Sequence, residues 1–74
     1  MEYEDKRQIV LDAIKKATGV SFGKDGRTNL LSVFSALDLI YIVKFIEESA
    51  GINISKAFDR DPNILTLDGL TSLI

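Results

Sequence analysis

Residues 34–50 of the chain read FSALDLIYIVKFIEESA, its longest apolar run, and predict one helix. Ser35 is a suitable N-cap because its hydroxyl can accept a hydrogen bond from a first-turn N–H. Gly51 follows the run and can adopt the positive φ that commonly ends a helix. On a 3.6-residue period one face of the helix is apolar, and we expect it to be core: Leu39, Ile42, Val43, Ile46 and Ala50.

The opposite face of this helix is apolar at its N-terminal end and charged further along. It carries Leu37, Tyr41, Lys44 and Glu48, with Ile40 and Glu47 at one border and Asp38 and Phe45 at the other. An apolar patch on the outer face of a small domain indicates a partner surface. A second interpretation is that Leu37 and Ile40 pack beneath the preceding loop and that the charges form an ordinary solvated face.

Composition bounds the class of protein. The chain has 74 residues, which predicts one small domain over residues 1–74. It lacks cysteine and histidine, so it has no disulfide, no thiolate and no imidazole base. The net charge is −2 and the pI about 4.9, which argues against a nucleic-acid partner.

No apolar run reaches the ~18 residues of a membrane span. The first residues do not resemble a signal peptide, so we expect a cytoplasmic protein.

Two further helices are predicted at the ends of the chain. The first runs from Tyr3 to Ala17, because apolar residues recur there at three- and four-residue steps. Acidic residues lie near its start and lysines near its end, as the helix dipole favours. Thr66 caps the last helix, from Leu67 to Ile74. We expect the core to include Val10, Ile14, Leu39, Val43, Ile46, Leu70 and Leu73.

The connections between these helices are long. Residues 20–33 form the first, with expected apolar tethers at Val20, Phe22, Leu30, Leu31, Val33 and Phe34. A loop of this length in a small domain is unusual unless it is held down or functional. In the second connection Ile52 and Ile54 alternate and are predicted to enter the core, and residues 55–58 suit a helical turn. Asp61-Pro62 predicts the start of a short helix. The predicted fold is an all-α bundle of three main helices and one short third helix.

Residues 35–54 resemble the second helix of an acyl carrier protein and its exit. The family has Asp-Ser-Leu at the helix start, a Glu-Glu pair and a Gly-Ile-x-Ile exit. The residues of this chain at the corresponding positions are Ser35, Ala36, Leu37, Asp38, Glu47, Glu48, Gly51, Ile52 and Ile54. It departs from the family at three positions. Ser35 replaces the Asp, Ala36 replaces the serine that bears phosphopantetheine, and Tyr41 stands where glutamate is common.

The resemblance implies a four-helix carrier bundle with a long first loop, and a non-enzymatic function. A carrier tethers acyl or aminoacyl intermediates as a 4′-phosphopantetheine thioester for fatty-acid, polyketide or nonribosomal-peptide biosynthesis. Its partners are a phosphopantetheinyl transferase and the enzymes that load and process the intermediates, and it is a monomer. The partner surface implied here comprises Leu37, Asp38, Ile40, Tyr41, Lys44, Glu47 and Glu48. With Ala36 in place of the serine, no cofactor is expected on this chain.

Three accounts of Ala36 are open. In the first, which we favour, alanine is an engineered replacement of the attachment serine. In the second, the chain is a natural relative that has lost the serine and acts only by protein–protein binding. Ser35 supports this account, since a single engineered change would leave the family's Asp in place. In the third, Ser35 itself is modified through a one-residue slip, which the register of Leu37-Asp38 disfavours.

An independent enzyme is a separate hypothesis that the composition disfavours. Without histidine, cysteine or clustered acids, the sequence offers no catalytic constellation and no metal site. Carboxylate pairs such as Asp59 and Asp61 are better explained as turn caps.

Overall fold

A computed structural model describes residues 2–23, 26–54 and 65–74 of the chain. Its elements are α1 (Tyr3–Thr18), a 3-10 turn (Leu30–Ser32), α2 (Ala36–Ala50) and α3 (Leu67–Ser72). Within those three ranges the only β-type pairing is an isolated bridge between Asn29 and Thr66, and the all-α prediction is confirmed there. The helical turn predicted at residues 55–58 and the short helix predicted at Asp61-Pro62 lie outside the described residues.

Helix α1 begins at the predicted residue and ends one residue later than predicted. Its extra residue is Thr18, whose hydroxyl donates to the carbonyl of Ile14 at 2.7 Å and so continues the last turn. Gly19 then takes φ +76° and its N–H donates to the carbonyl of Lys15 at 2.7 Å. This left-handed residue satisfies a terminal carbonyl and turns the chain out of the helix.

Helix α2 has the predicted limits. It begins at Ala36 after the N-cap Ser35 and ends at Ala50, where Gly51 takes φ +68° and donates to the carbonyl of Glu47 at 2.9 Å. Its inner face is buried as predicted: Leu39, Ile42, Val43 and Ile46. Ala50 is only partly buried, because it lies at the last residue of the helix.

The core lies between α1, α2 and α3. Helix α1 packs against both of the others, and α2 also contacts the 3-10 turn. Ile54 is buried and Ile52 packs against the core, which confirms the prediction for the exit from α2. Six of the seven expected core residues are buried, and Leu73 is the exception. The prediction that the last helix reaches Ile74 was wrong, because α3 ends at Ser72 and the Leu73 and Ile74 N–H groups donate to carbonyls three residues back. Leu73 lies just beyond the helix and is partly buried.

The first loop is held by fewer apolar side chains than predicted. Phe22, Leu30 and Phe34 are buried, and the rings of Phe22 and Phe34 lie 6.1 Å apart. The prediction was wrong for the other three tethers, Val20, Leu31 and Val33, which are exposed. An irregular segment that lies across a core presents only some of its side chains to it, so neighbours such as Leu31 and Val33 face solvent.

No helix in the described part of the chain combines the length and the apolar character that crossing a membrane requires.

Two isoleucines of α2 test which face is core. Ile46 is fully buried, whereas Ile40 is 63% exposed on the same helix. We expect Ile46→Ala to lower the free energy of unfolding by about 2–4 kcal/mol through lost transfer energy and a cavity. The matched variant Ile40→Ala should change it by no more than about 0.5 kcal/mol. Urea unfolding followed by circular dichroism measures both, and equal losses would mean that the inner face is assigned wrongly.

Candidate functional site at the start of helix α2

Ser35 and Asp38 close the start of α2 with a reciprocal pair of hydrogen bonds. The Asp38 N–H donates to Ser35 Oγ at 3.1 Å, and the Ser35 N–H donates to Asp38 Oδ2 at 3.4 Å. This is a capping box, in which two backbone N–H groups that lack helical partners are satisfied by side chains. The sequence predicted the cap at Ser35 but not the second bond. The Ser-x-x-Asp spacing was the signal for it, although glutamate or glutamine is the usual third residue.

Ala36 is the first residue of α2 and is exposed to solvent. Its methyl group offers no nucleophile, donor or acceptor. The N–H groups of the first helical turn have no intrahelical acceptor, and the helix dipole places positive potential there. A side chain that carried an anion at this position would therefore be stabilised by the helix start.

Three large apolar side chains lie beside Ala36 on the outer face of α2: Leu37, Ile40 and Tyr41, which we call the outer patch. They are 60%, 63% and 48% exposed, respectively. Residues three and four apart on a helix are neighbours, so the three side chains form one continuous surface. The interpretation that Leu37 and Ile40 pack beneath the first loop is wrong, since both are more than half exposed.

The charged residues of the predicted partner surface fall into two groups. Lys44 and Glu48 are exposed on the outer face of α2. Asp38 and Glu47 are partly buried and bind backbone of the same chain, Asp38 in the capping box and Glu47 at the exit from the helix. The Ile54 N–H donates to Glu47 Oε2 at 2.7 Å, so this carboxylate holds the segment after Gly51 against the helix.

The remaining described residues offer no second site of comparable definition. No group of three potential metal ligands occurs among residues 2–23, 26–54 and 65–74. A shallow polar depression lies on α1 between Glu4, Arg7, Gln8 and Leu11. All four of these side chains come from one face of α1, and no other element in the described part of the chain lines the depression.

Comparison of the chain with families of proteins, with curated proteins and with solved structures gives no significant match.

The capping box can be tested at Ser35. Ser35→Ala removes the acceptor of the Asp38 N–H, and we expect it to lower the free energy of unfolding by about 1 kcal/mol. Ser49 is an exposed serine within the same helix, and Ser49→Ala should be neutral or slightly stabilising because alanine favours helix. Denaturant unfolding compares the two variants, and equal stability would show that the box contributes nothing.

The role of Glu47 can be tested against its neighbour. Glu47→Ala leaves the Ile54 N–H without its carboxylate acceptor, and we expect a loss of about 1 kcal/mol in unfolding free energy. Glu48→Ala removes an identical charge that is exposed and should change stability by less than about 0.5 kcal/mol. Because Glu47→Gln keeps an acceptor oxygen, the unfolding free energy that it loses should lie between the losses of Glu47→Ala and Glu48→Ala. Equal effects of Glu47→Ala and Glu48→Ala would contradict the assigned role.

Proposed function

We propose that this chain is an acyl carrier protein in a form that cannot be loaded, with Ala36 at the position of the attachment serine. One observation carries the proposal: Ala36 is exposed at the first turn of a capped helix, directly beside an exposed apolar patch. A phosphopantetheine arm needs an accessible attachment point, and the enzymes that act on it need a surface to bind.

The chemistry of such a carrier belongs to its prosthetic group, and the protein supplies the attachment point and the environment. In the serine form, a transferase would join 4′-phosphopantetheine to the hydroxyl at position 36 through a phosphodiester. The positive end of α2 would stabilise that anion. The thiol of the arm would then hold acyl or aminoacyl intermediates as thioesters for fatty-acid, polyketide or nonribosomal-peptide biosynthesis. The short third helix of a carrier bundle, a monomeric state and a cytoplasmic location belong to the same proposal.

In this proposal the outer patch receives the partner enzymes. Leu37, Ile40 and Tyr41 offer apolar contact, and Lys44 and Glu48 lie at its C-terminal end with opposite charges. Asp38 and Glu47 already bind backbone N–H groups of this chain, which reduces what they can offer a basic partner. We therefore expect apolar contact to contribute more to docking than charge does.

A second candidate is a natural interaction module that has lost the serine and acts only by protein–protein binding. The complete capping box favours it. Ser35 occupies the position of the family's Asp and accepts the Asp38 N–H, so the helix start is well formed without the family's residue. In this case the outer patch would be retained for binding alone, and no form of the chain would carry the arm.

The two candidates differ in the behaviour of Ala36→Ser. With coenzyme A and a broad-specificity phosphopantetheinyl transferase, we expect this variant to gain the mass of one arm in intact-mass spectrometry. The unchanged chain should gain nothing, because Ser35 is committed to the capping box. Circular dichroism must confirm that the variant is folded. A folded Ala36→Ser protein that several transferases leave unmodified would favour the interaction module.

The double variant Ser35→Ala, Ala36→Ser identifies the modified residue. If Ala36→Ser and the double variant are both modified and the unchanged chain is not, the arm is attached at position 36. If instead the unchanged chain is modified and Ser35→Ala abolishes the gain, then Ser35 is the attachment point and the assignment of Ala36 is wrong.

The docking surface can be tested in the Ala36→Ser variant, which has the serine that the transferase would modify. Added to Ala36→Ser, Leu37→Ala should slow the transferase, and the loss should persist at high salt because the contact is apolar. Asp38→Asn keeps an acceptor for the cap and removes only the charge. Its effect should be smaller, and it should fade as salt screens the charge. The rates come from the time course of mass gain, and unchanged rates in both variants would exclude this surface.

A further inference from the structure

The first loop and the start of α3 are bound to each other by their backbones. The Leu30 N–H donates to the carbonyl of Leu65 at 2.8 Å, and the Asp68 N–H donates to the carbonyl of Gly26 at 2.9 Å. Between these two bonds lies the isolated bridge of Asn29 and Thr66. Each segment thus supplies hydrogen-bonding groups to the other. If either segment moved away, the backbone groups of the other would lose these hydrogen bonds.

Tyr3 joins this pairing from the first turn of α1. Its phenol donates to Asp68 Oδ1 at 3.1 Å, and Asp68 is the residue whose N–H binds the loop. Desolvation and the neighbouring Asp68 raise the pKa of Tyr3 above its ordinary value. The phenol therefore keeps its proton, and remains a donor, throughout the physiological pH range.

Gly26 lies against the Asp68 side chain where the loop meets α3. A Cβ atom at position 26 would occupy the space of the Asp68 carboxylate. A larger residue at this position would displace that carboxylate, and we expect the displacement to disrupt its bond to Tyr3. By contrast, a Cβ atom at Gly23 of the same loop would meet no atom of the described residues within 4 Å.

We propose that residues 26–34, which we call the strap, open and close as one unit with residues 65–68, and that Tyr3 fastens this unit through Asp68. The strap covers part of the core with Leu30 and Phe34. The strap ends at Phe34, immediately before the N-cap Ser35, so a movement that opens the strap would extend to the start of α2. This inference does not depend on the proposed function, since every contact in it lies within the chain.

The physical basis is the small amount of regular structure in the strap. Helices α1 and α2 carry continuous internal hydrogen bonds and buried faces. Among the described residues, the strap has one 3-10 turn and the buried side chains of Leu30 and Phe34, and residues 65–68 add the buried Leu67. Native proteins open locally where buried contacts are few, and such regions open as cooperative units. The mutual backbone bonds make the strap and the start of α3 one such unit.

Native-state hydrogen exchange on the full chain tests the proposal. Tyr3→Phe removes the fastening hydrogen bond, and we expect the Leu30 and Asp68 amides to exchange faster by one common factor of about two- to tenfold. The amides of Ile42 and Val43 in α2 should keep their rates. Tyr41 is exposed to a similar extent as Tyr3, and the matched control Tyr41→Phe should change none of these amides.

Gly26→Ala provides an independent route to the same opening. Because a methyl group at position 26 displaces the Asp68 carboxylate, the variant also removes the bond to Tyr3. We expect faster exchange at Leu30 and Asp68, and no change in Gly23→Ala. Adding Tyr3→Phe to Gly26→Ala should cause no further increase, since the bond that it removes is already lost.

Several outcomes would overturn the proposal. A faster rate at Asp68 with no change at Leu30 would show that the two segments open separately. If the increases in exchange rate caused by Tyr3→Phe and Gly26→Ala multiply in the double variant, then Tyr3 and Gly26 act on different openings. An equal increase at Ile42 and Val43 would show that only global unfolding is measured, and unchanged rates in both single variants would show that Tyr3 does not fasten the strap.

Discussion

The apolar contact between the inner faces of α1 and α2 is the interaction on which the rest of the structure depends. Val10 and Ile14 from α1, and Ile42 and Ile46 from α2, are all completely buried. Short helices have little stability of their own in water, so burial of such faces supplies most of what holds them. Helix α3 adds Leu67 and Leu70 to the same core, and the first loop adds Leu30 and Phe34.

Because the inner face of α2 is occupied in this way, its apolar outer residues have no partner in the described fold. Leu37, Ile40 and Tyr41 lie on the side away from the core, near the helix start. Isolated exposed apolar residues are ordinary on protein surfaces, but three adjacent ones form a patch with a function to explain. Ala36, the first residue of the helix, lies exposed beside this patch.

Polar side chains in this fold mainly determine where segments begin, end and meet. Ser35 and Asp38 close the start of α2, Thr66 Oγ1 accepts the Gly69 N–H at the start of α3, and Glu47 holds the exit from α2. The described residues contain no buried side-chain nitrogen or oxygen without a hydrogen-bond partner. Two carboxylates, those of Asp38 and Glu47, accept from backbone N–H groups. Of the charged residues predicted to bind partners, only Lys44 and Glu48 are exposed.

Among the described residues, the sequence by itself determined where the three helices begin, the caps at Ser35, Gly51 and Thr66, and the inner face of α2, because these follow from residues three or four positions apart. Ser35, Gly51 and the spacing from Leu39 to Ile46 were sufficient for that. The exposure of Leu31 and Val33 and the carboxylate partners of Ile54 and Tyr3 were decided only by the tertiary structure. Each depends on where one segment lies against another, and Tyr3 and Asp68 meet although 65 positions separate them. Local periodicity contains no information about such contacts, since they form only once the helices have packed and brought distant backbone groups together.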